Sequence, residues 1–216
     1  MKICIVAGHT MKGKGTGAVG FINESKENRV VSKLVVEKLK KVGHEVDYYE
    51  VNESTSYLSL QANFANKKKY DLVVQVHFNA GGGTGTETLY KSTTGKKYAE
   101  QVTKSLGKLY KQRGAKLRND LYWLNKTNAP AILIEVCFVD SKVDTDLYNK
   151  NTDYTAKLIA EGIIGQEIVE KPTQSNLTSK KYGVKVHSFS TKEQAQAFSN
   201  MLKERHNAYS EVYEVN

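Results

Sequence analysis

This 216-residue sequence has little cysteine, little proline and no long apolar run. Its two cysteines lack the spacing of a metal site, so buried free thiols are expected, with a disulfide as the weaker alternative. No segment approaches the ~20 apolar residues of a membrane-spanning helix. The N-terminal residues also lack the features of a secretory signal. These absences predict a globular protein that has no membrane anchor, is made in the cytoplasm and needs release before any action outside the cell.

Acidic residues are outnumbered, with 32 Lys and Arg against 23 Asp and Glu, a formal net charge of +9. Such a balance suits a polyanionic partner, either nucleic acid or an anionic wall polymer. The lysines are scattered, however, and there is no basic helix with interleaved aromatic residues and no zinc-finger or helix-turn-helix spacing. We therefore predict no nucleic-acid partner, although charge alone does not select the polymer.

Strand and helix patterns alternate through residues 1–169. Short apolar or alternating runs predict six strands, in the order ICIVA, HEVDYYEV, YDLVVQVHFNA, GTETLYKS, LYWLN and PAILIEVCF. Helical spacing predicts helices over residues 24–42, 56–68, 96–112 and 153–168, the first with Asn23 as its N-cap. Alternation of this kind indicates an α/β domain with a six-stranded, mostly parallel sheet flanked by helices.

The composition changes after residue 169. Residues 170–181 are polar, contain the second proline and lack periodicity, which predicts a linker. Residues 182–216 have the pattern strand, helix, strand, with Thr191 as a predicted N-cap, and indicate a small β-α-β module. A unit of about 35 residues is shorter than the ~40 at which a core usually suffices for independent folding.

Four residues in the first 169 are candidates for a functional site because of their positions relative to the predicted strands and the first helix. His9 and His77 follow the ends of apolar strands, and Glu24 opens the first helix. Glu135 lies inside the most apolar strand, where an isolated carboxylate is costly. Each has an ordinary explanation as well: a loop or strand-end histidine, a first-turn acid favoured by the helix dipole, or a carboxylate paired with a cation.

Together the four residues suit a catalytic metal centre. Two neutral imidazoles and one carboxylate can hold zinc and leave a coordination position open for water. A second glutamate that is not a ligand can then act as general base and acid, and burial of Glu135 is expected to raise its pKa. Because Glu24 and Glu27 share the first helical turn, either of them is a candidate for the third ligand.

Four motifs resemble those of zinc-dependent N-acetylmuramoyl-L-alanine amidases, above all the phage endolysins of clostridia. They are AGHT, NES, QVHFNA and LIEVCFVD, in that order, within residues 1–168. The resemblance implies a six-stranded α/β fold, zinc on His9, Glu24 and His77, and catalysis by Glu135. It implies hydrolysis of the peptidoglycan amide bond between the lactyl group of N-acetylmuramic acid and L-alanine. Asn79 is then a candidate for substrate binding or for orienting His77, or it is a simple turn residue.

The segment YGVKVHSFSTKEQAQAFSNML resembles the first strand and helix of a SPOR domain, a glycan-binding module. Only half of such a module is present, so it is truncated, completes its sheet in a homodimer, or packs on the rest of the chain. Aromatic side chains there can stack on sugars, namely Tyr182, Tyr209, Tyr213 and Phe189, although core packing is favoured for Phe189. His187 and His206 are not expected to bind metal.

Two other functions fit parts of these observations. A zinc peptidase or carboxypeptidase of the cell wall would use the same metal ligands on a different bond. A wall-binding or nucleic-acid-binding protein without catalytic activity would need neither metal nor Glu135.

Overall fold

The computed structural model of this chain describes residues 1–169 and 189–206, with the side chains of 202–206 left out. The chain divides into two units, Met1–Val169 and Glu170–Asn216. The first unit contains the sheet and the helices that cover it. Within the described residues, no helix combines the length and the apolar character needed to cross a membrane.

The first unit is built on a six-stranded sheet in the order β2-β1-β3-β6-β4-β5. Neighbours β2, β1, β3 and β6 pair in parallel, β4 is antiparallel to β6, and β5 is parallel to β4. The predicted mostly parallel sheet is thus confirmed. The strands are β1 (Lys2–Thr10), β2 (Glu45–Val51), β3 (Leu72–Asn79), β4 (Thr86–Tyr90), β5 (Gln112–Leu117) and β6 (Ala131–Phe138).

Helices cover both faces of this sheet, because side chains of its central strands alternate between two apolar clusters. The larger cluster lies under α1, α3 and α6 and includes Ile3 and Ile5, whereas the smaller lies under α2 and α4 and includes Cys4 and Val6. The helices are α1 (Glu24–Lys41), α2 (Tyr57–Ala65), α3 (Thr93–Leu106), α4 (Tyr122–Lys126), α5 (Lys142–Lys150) and α6 (Thr152–Ile164).

The start of α1 agrees with the sequence. The Asn23 side chain accepts a hydrogen bond from the backbone N–H of Lys26 at 3.1 Å, so it caps the helix as predicted.

The two cysteines are buried and free, and they lie in different apolar clusters, Cys4 in the smaller and Cys137 in the larger.

One predicted strand is wrong. LYWLN forms the short helix α4, in which the adjacent residues Trp123 and Leu124 are both buried in the smaller cluster. A strand would have placed these neighbours on opposite faces of the sheet. The sixth strand is instead β5, whose sequence QRGAKL is polar because it lies at the sheet edge with mostly exposed residues. The sequence pattern did not predict helix α5 either.

Several predicted helices have different bounds in the structure, and the one expected over 56–68 spans Tyr57–Ala65. The helix expected over 96–112 begins at Thr93, after a Ser92 cap, and ends at Leu106, while the one expected over 153–168 ends at Ile164. Gly165, in the left-handed region with φ of 70°, terminates α6.

The second unit is described over residues 189–206, where α7 spans Lys192–His206. The Thr191 hydroxyl accepts a hydrogen bond from the Gln194 N–H at 3.3 Å, consistent with the predicted N-cap. Phe189 contacts Phe198, with ring centroids 5.3 Å apart. The predicted linker, the two strands of the module, Tyr182, His187, Tyr209 and Tyr213 lie outside the described residues, as does the side chain of His206.

Candidate metal centre

The first predicted ligand, His9, lies near the carboxyl end of β1 in a left-handed backbone conformation, with φ of 60°. Its Nδ1 is 2.9 Å from the carbonyl oxygen of Gly15. Because a carbonyl only accepts, Nδ1 donates this hydrogen bond; the neutral ring then has its free lone pair on Nε2, whereas the protonated ring also donates from Nε2. Metal-binding histidines are commonly oriented in this way.

The second predicted histidine, His77, occupies the carboxyl end of β3. Its ring lies directly against Gly8, where a Cβ atom would come within 2.3 Å of Nε2. Glycine is therefore required at position 8 for the two strand ends to approach this closely. The rings of His9 and His77 meet edge to face, with centroids 4.7 Å apart.

Glu24, the first residue of α1, joins these histidines. Its Oε1 lies 3.1 Å from Nε2 of His9 and 3.0 Å from Nδ1 of His77. Backbone N–H groups of Phe78 and Ala18 donate to the two carboxylate oxygens, at 3.1 and 2.9 Å. The potential ligand atoms of the three side chains all lie within 4.8 Å of one another. These residues come from separate elements and form one cluster that can hold a metal ion.

Glu27, the alternative to Glu24, lies elsewhere. Its carboxylate accepts a hydrogen bond from the Tyr148 hydroxyl at 3.1 Å. In the first helical turn of α1, the Glu24 side chain therefore faces the histidines, and the Glu27 side chain faces α5.

Burial and proximity set the charge states in this cluster. Burial lowers the pKa of His77, against the opposing effect of Glu24. For His9, burial acts in the same direction, but the hydrogen bond and charge of Glu24 outweigh it and raise the pKa. Burial acts to raise the pKa of Glu24, yet hydrogen bonds from His77 and His9 hold it well below its usual range. The carboxylate is therefore ionised at neutral pH, the form that binds cations.

Glu135 lies next to this cluster on β6, paired in register with His77 on β3 and with Glu87 on β4. Its Oε2 is buried and finds no hydrogen-bond partner among the residues that the structure describes. Burial raises the pKa of this carboxyl well above its usual range, and the charges of Glu24 and Glu87 add to the effect. Its ordinary explanation, pairing with a cation, is not what the structure shows for this atom.

Asn79 ends β3, and its side chain is directed to a network that the sequence did not reveal. Its Nδ2 donates to Oε1 of Glu87 at 3.2 Å, while Oε2 of Glu87 accepts from Arg113 at 2.7 Å and from Lys116. The signal for Glu87 was present in GTETLYKS, as a carboxylate inside a predicted strand. Its cationic partners lie on β5, the strand that pattern analysis missed.

The glycine-rich loop between β3 and β4 is held by two aspartates. Asp140 accepts hydrogen bonds from the N–H groups of Gly81 and Gly82, both at 2.8 Å. Asp144 accepts one from Gly85 at 2.7 Å. These donors are therefore occupied by the protein itself.

The sequence profile of N-acetylmuramoyl-L-alanine amidases (Amidase_3) matches residues 3–165 of the chain. The chain belongs to this family. The metal-capable cluster and Glu135 both lie within the matched amidase region, and zinc dependence is general in the family.

Individual relatives agree with the family assignment. The chain is 34% identical over 230 residues to an uncharacterized 38.4 kDa protein of Clostridium perfringens, covering 100% of this chain and 67% of that protein. It is 36% identical over 174 residues to the endolysin of Bacillus phage SPP1, covering 73% and 62%. The chain thus spans about two thirds of the length of these relatives.

Among solved structures, the chain matches the catalytic domain of the CD27L endolysin targeting Clostridia difficile. The TM-score is 0.74 at 36% identity, covering 78% of this chain and 99% of that one. The α/β fold described above is therefore shared with this endolysin catalytic domain.

A cleft of about 150 Å³ opens beside the histidines of this amidase. Its walls come mainly from α2 and α4 and are largely apolar, formed by Tyr57, Leu58, Leu121, Tyr122, Trp123 and Leu133. His9 and His77 also line it, so a molecule in the cleft lies against the metal-capable cluster.

Proposed function

We propose that this amidase hydrolyses the bond between the lactyl group of N-acetylmuramic acid and L-alanine in peptidoglycan, with zinc held by His9, Glu24 and His77. The donor set fits, since two imidazole nitrogens and one carboxylate oxygen are the ligands of many catalytic zinc sites. Zinc held there supplies a Lewis acid for the amide carbonyl and the attacking water.

Glu135 is the proposed general base and acid. Its carboxylate takes a proton from the attacking water as the water oxygen bonds to the carbonyl carbon. The same group then protonates the nitrogen of L-alanine as the carbon–nitrogen bond breaks, which leaves a lactyl carboxylate and a free amine. A raised pKa suits both steps, because the group must accept a proton and return it near neutral pH.

The convergence of three metal-capable side chains beside a carboxylate whose Oε2 is buried without a partner in the described residues carries this proposal. It is tested by metal analysis of the purified chain, of His9→Ala and of His44→Ala, a histidine that contacts the N-terminus instead. We expect one zinc per chain in the wild type and in His44→Ala, and almost none in His9→Ala. Equal zinc in His9→Ala would remove His9 from the ligand set.

Product analysis tests the bond that is cut. Digestion of purified peptidoglycan should release stem peptides with a new N-terminal L-alanine. Free amino acids from the peptide carboxyl end would instead indicate a carboxypeptidase.

We also propose that Asn79 contacts the substrate. Its position two residues after His77, within a network that reaches Glu87, supports this role. Asn79→Ala should then raise KM more than it lowers kcat. A fall in kcat alone would favour a role in positioning Glu87.

For residues 182–216, which follow the predicted linker 170–181, we propose binding to the wall, with a homodimer through this module as a further expectation. The match to the Clostridium perfringens protein covers the entire chain, which supports a shared role for this part. Deletion of 170–216 should leave cleavage of soluble muropeptides unchanged and weaken sedimentation with whole walls. Equal wall binding by the shortened chain would contradict the proposal, and analytical ultracentrifugation of both chains tests the dimer.

A further inference from the structure

Near its carboxyl end, just before His9, β1 stops pairing with β2. The pairing between these strands is interrupted between Val6 and Thr10. Side chains bind the carbonyl groups of this stretch: Gln61 donates to Ala7, Asn28 to Gly8 and Arg29 to His9. Buried carbonyl groups need such partners, so on the side that faced β2 the conformation of the segment depends on side chains, while Ala7 still pairs with Val76 of β3.

Arg29 makes the most extensive of these contacts. The residue is buried, at 6% exposure, and its guanidinium donates from Nη2 to the carbonyls of Val51 at 2.7 Å and His9 at 3.2 Å. From Nη1 it donates to the carbonyl of Ser25 at 2.6 Å. One planar group therefore ties the ends of β1 and β2 to the first turn of α1.

Two of those three attachment points are at, or directly next to, metal-capable residues. His9 is itself one of them, and Ser25 directly follows Glu24. His9 has a left-handed backbone, which a residue with a side chain adopts only when its surroundings hold it there. We propose that Arg29 is a positioning residue that fixes His9 relative to Glu24 and thereby sets the affinity of the site for zinc. This inference rests on the proposed function.

Charge and geometry make opposite predictions for Arg29. A buried cation near the site repels a metal ion, so charge alone predicts tighter zinc binding when Arg29 is replaced by a neutral residue. Positioning predicts weaker binding for any residue that lacks the planar fork of donors, including lysine, which retains the charge. Arg29→Lys and Arg29→Met therefore separate the two effects.

The test is competition for Zn²⁺ against a chelator, with the full chain at a temperature well below thermal unfolding. We expect zinc to bind Arg29→Lys and Arg29→Met about 10 to 100-fold more weakly than the wild type, the range found when partners of metal ligands are removed. Arg118→Lys is the matched control, because Arg118 pairs with Asp120 at the surface, and it should keep wild-type affinity. Excess zinc should restore activity to Arg29→Lys, which a general folding defect would not allow.

The outcomes separate this inference from the proposed function. Wild-type zinc affinity in Arg29→Lys, together with loss of zinc in His9→Ala, would overturn the positioning role alone. Tighter binding by Arg29→Met would also overturn it, in favour of charge. If Arg29→Met does not fold, Arg29→Lys decides, and if neither folds the residue is structural and the inference fails. A wild type that binds no zinc would overturn both proposals.

Discussion

The sheet has two unlike halves. The parallel half, β2-β1-β3-β6, is rich in apolar residues and carries His9, His77 and Glu135. The edge half, β4 and β5, is polar and carries Glu87 with its cationic partners Arg113 and Lys116. β6 belongs to the first half but pairs with β4 of the second, so Glu135 lies at the boundary between them.

Two neighbouring carboxyl groups show what this difference does. Burial raises the pKa of Glu135, whose Oε2 has no partner in the described part of the chain. Burial acts in the same direction on Glu87, but hydrogen bonds from Lys116 and Arg113 outweigh it and lower that pKa. Paired groups with opposite shifts are typical of sites where one transfers protons and the other stays ionised. In the proposed mechanism, the parallel half thus supplies the group that transfers protons, and the edge half supplies a fixed charge.

The largest effect is expected from the parallel half. His77→Ala removes one of three metal-capable side chains, so both zinc and amidase activity should be lost. Metal analysis and a peptidoglycan hydrolysis assay measure this, with His44→Ala as the control. A variant that retained stoichiometric zinc would exclude His77 as a ligand and weaken the distinction between the halves.

At the boundary, Glu135→Gln should retain zinc and the fold but lose roughly 10²-fold or more in kcat, the scale of general acid–base catalysis. An amide of the same shape cannot accept the proton of water. Glu100→Gln changes a carboxylate exposed on α3 that pairs with Lys96, and it is the matched control. Near-normal kcat in Glu135→Gln would rule out the assigned role.

In the edge half the effect should be smaller and visible mainly in the pH dependence. Glu87→Gln removes a negative charge that raises the pKa of Glu135, so this pKa should fall in the variant. Because the base must be ionised, kcat/KM falls as pH drops through the Glu135 pKa, so the acidic limb should move to lower pH. The change at neutral pH should stay below about tenfold. An acidic limb that stays in place or moves to higher pH would contradict this coupling.

The smallest effect is expected in the stability of the fold. Trp123 donates from Nε1 to the carbonyl of Ile132 at 3.0 Å, which attaches α4 to β6. Trp123→Phe removes this hydrogen bond and some buried area, and should lower the free energy of unfolding by about 1 to 3 kcal/mol in urea denaturation. No measurable loss would mean that α4 contributes little to the parallel half.

The parallel half was predictable because its strands are continuous apolar runs. Ile3 to Ala7 and the strand around Glu135 are too apolar to lie against solvent, so both are expected to be buried. A carboxylate within such a strand is unusual, and this drew attention to Glu135. In the edge half GTETLYKS predicted β4, but β5 was not predictable, because QRGAKL carries no periodic apolar signal and its pairing with β4 depends on backbone hydrogen bonds that any sequence can make.

The candidate site followed the same division. His9, Glu24, His77 and Glu135 were proposed from their positions at strand ends and from the family resemblance, and the structure brings them together. The sequence does not decide between Glu24 and Glu27, because both lie in the first turn of α1. Only the orientation of the helix in the structure shows which of the two side chains faces the histidines. Arg29 was missed because an arginine in a helical pattern gives no sign that it will be buried among carbonyl groups.

The placement of Cys4 and Cys137 on opposite faces of the sheet has a chemical consequence. Burial raises the pKa of the Cys4 thiol to about 12, and it also raises the pKa of Cys137. Neither thiol therefore ionises appreciably at neutral pH, and the sheet lies between them. The first unit should keep the same covalent structure in reducing and in oxidising surroundings, so its fold does not depend on the redox potential of the place where it works.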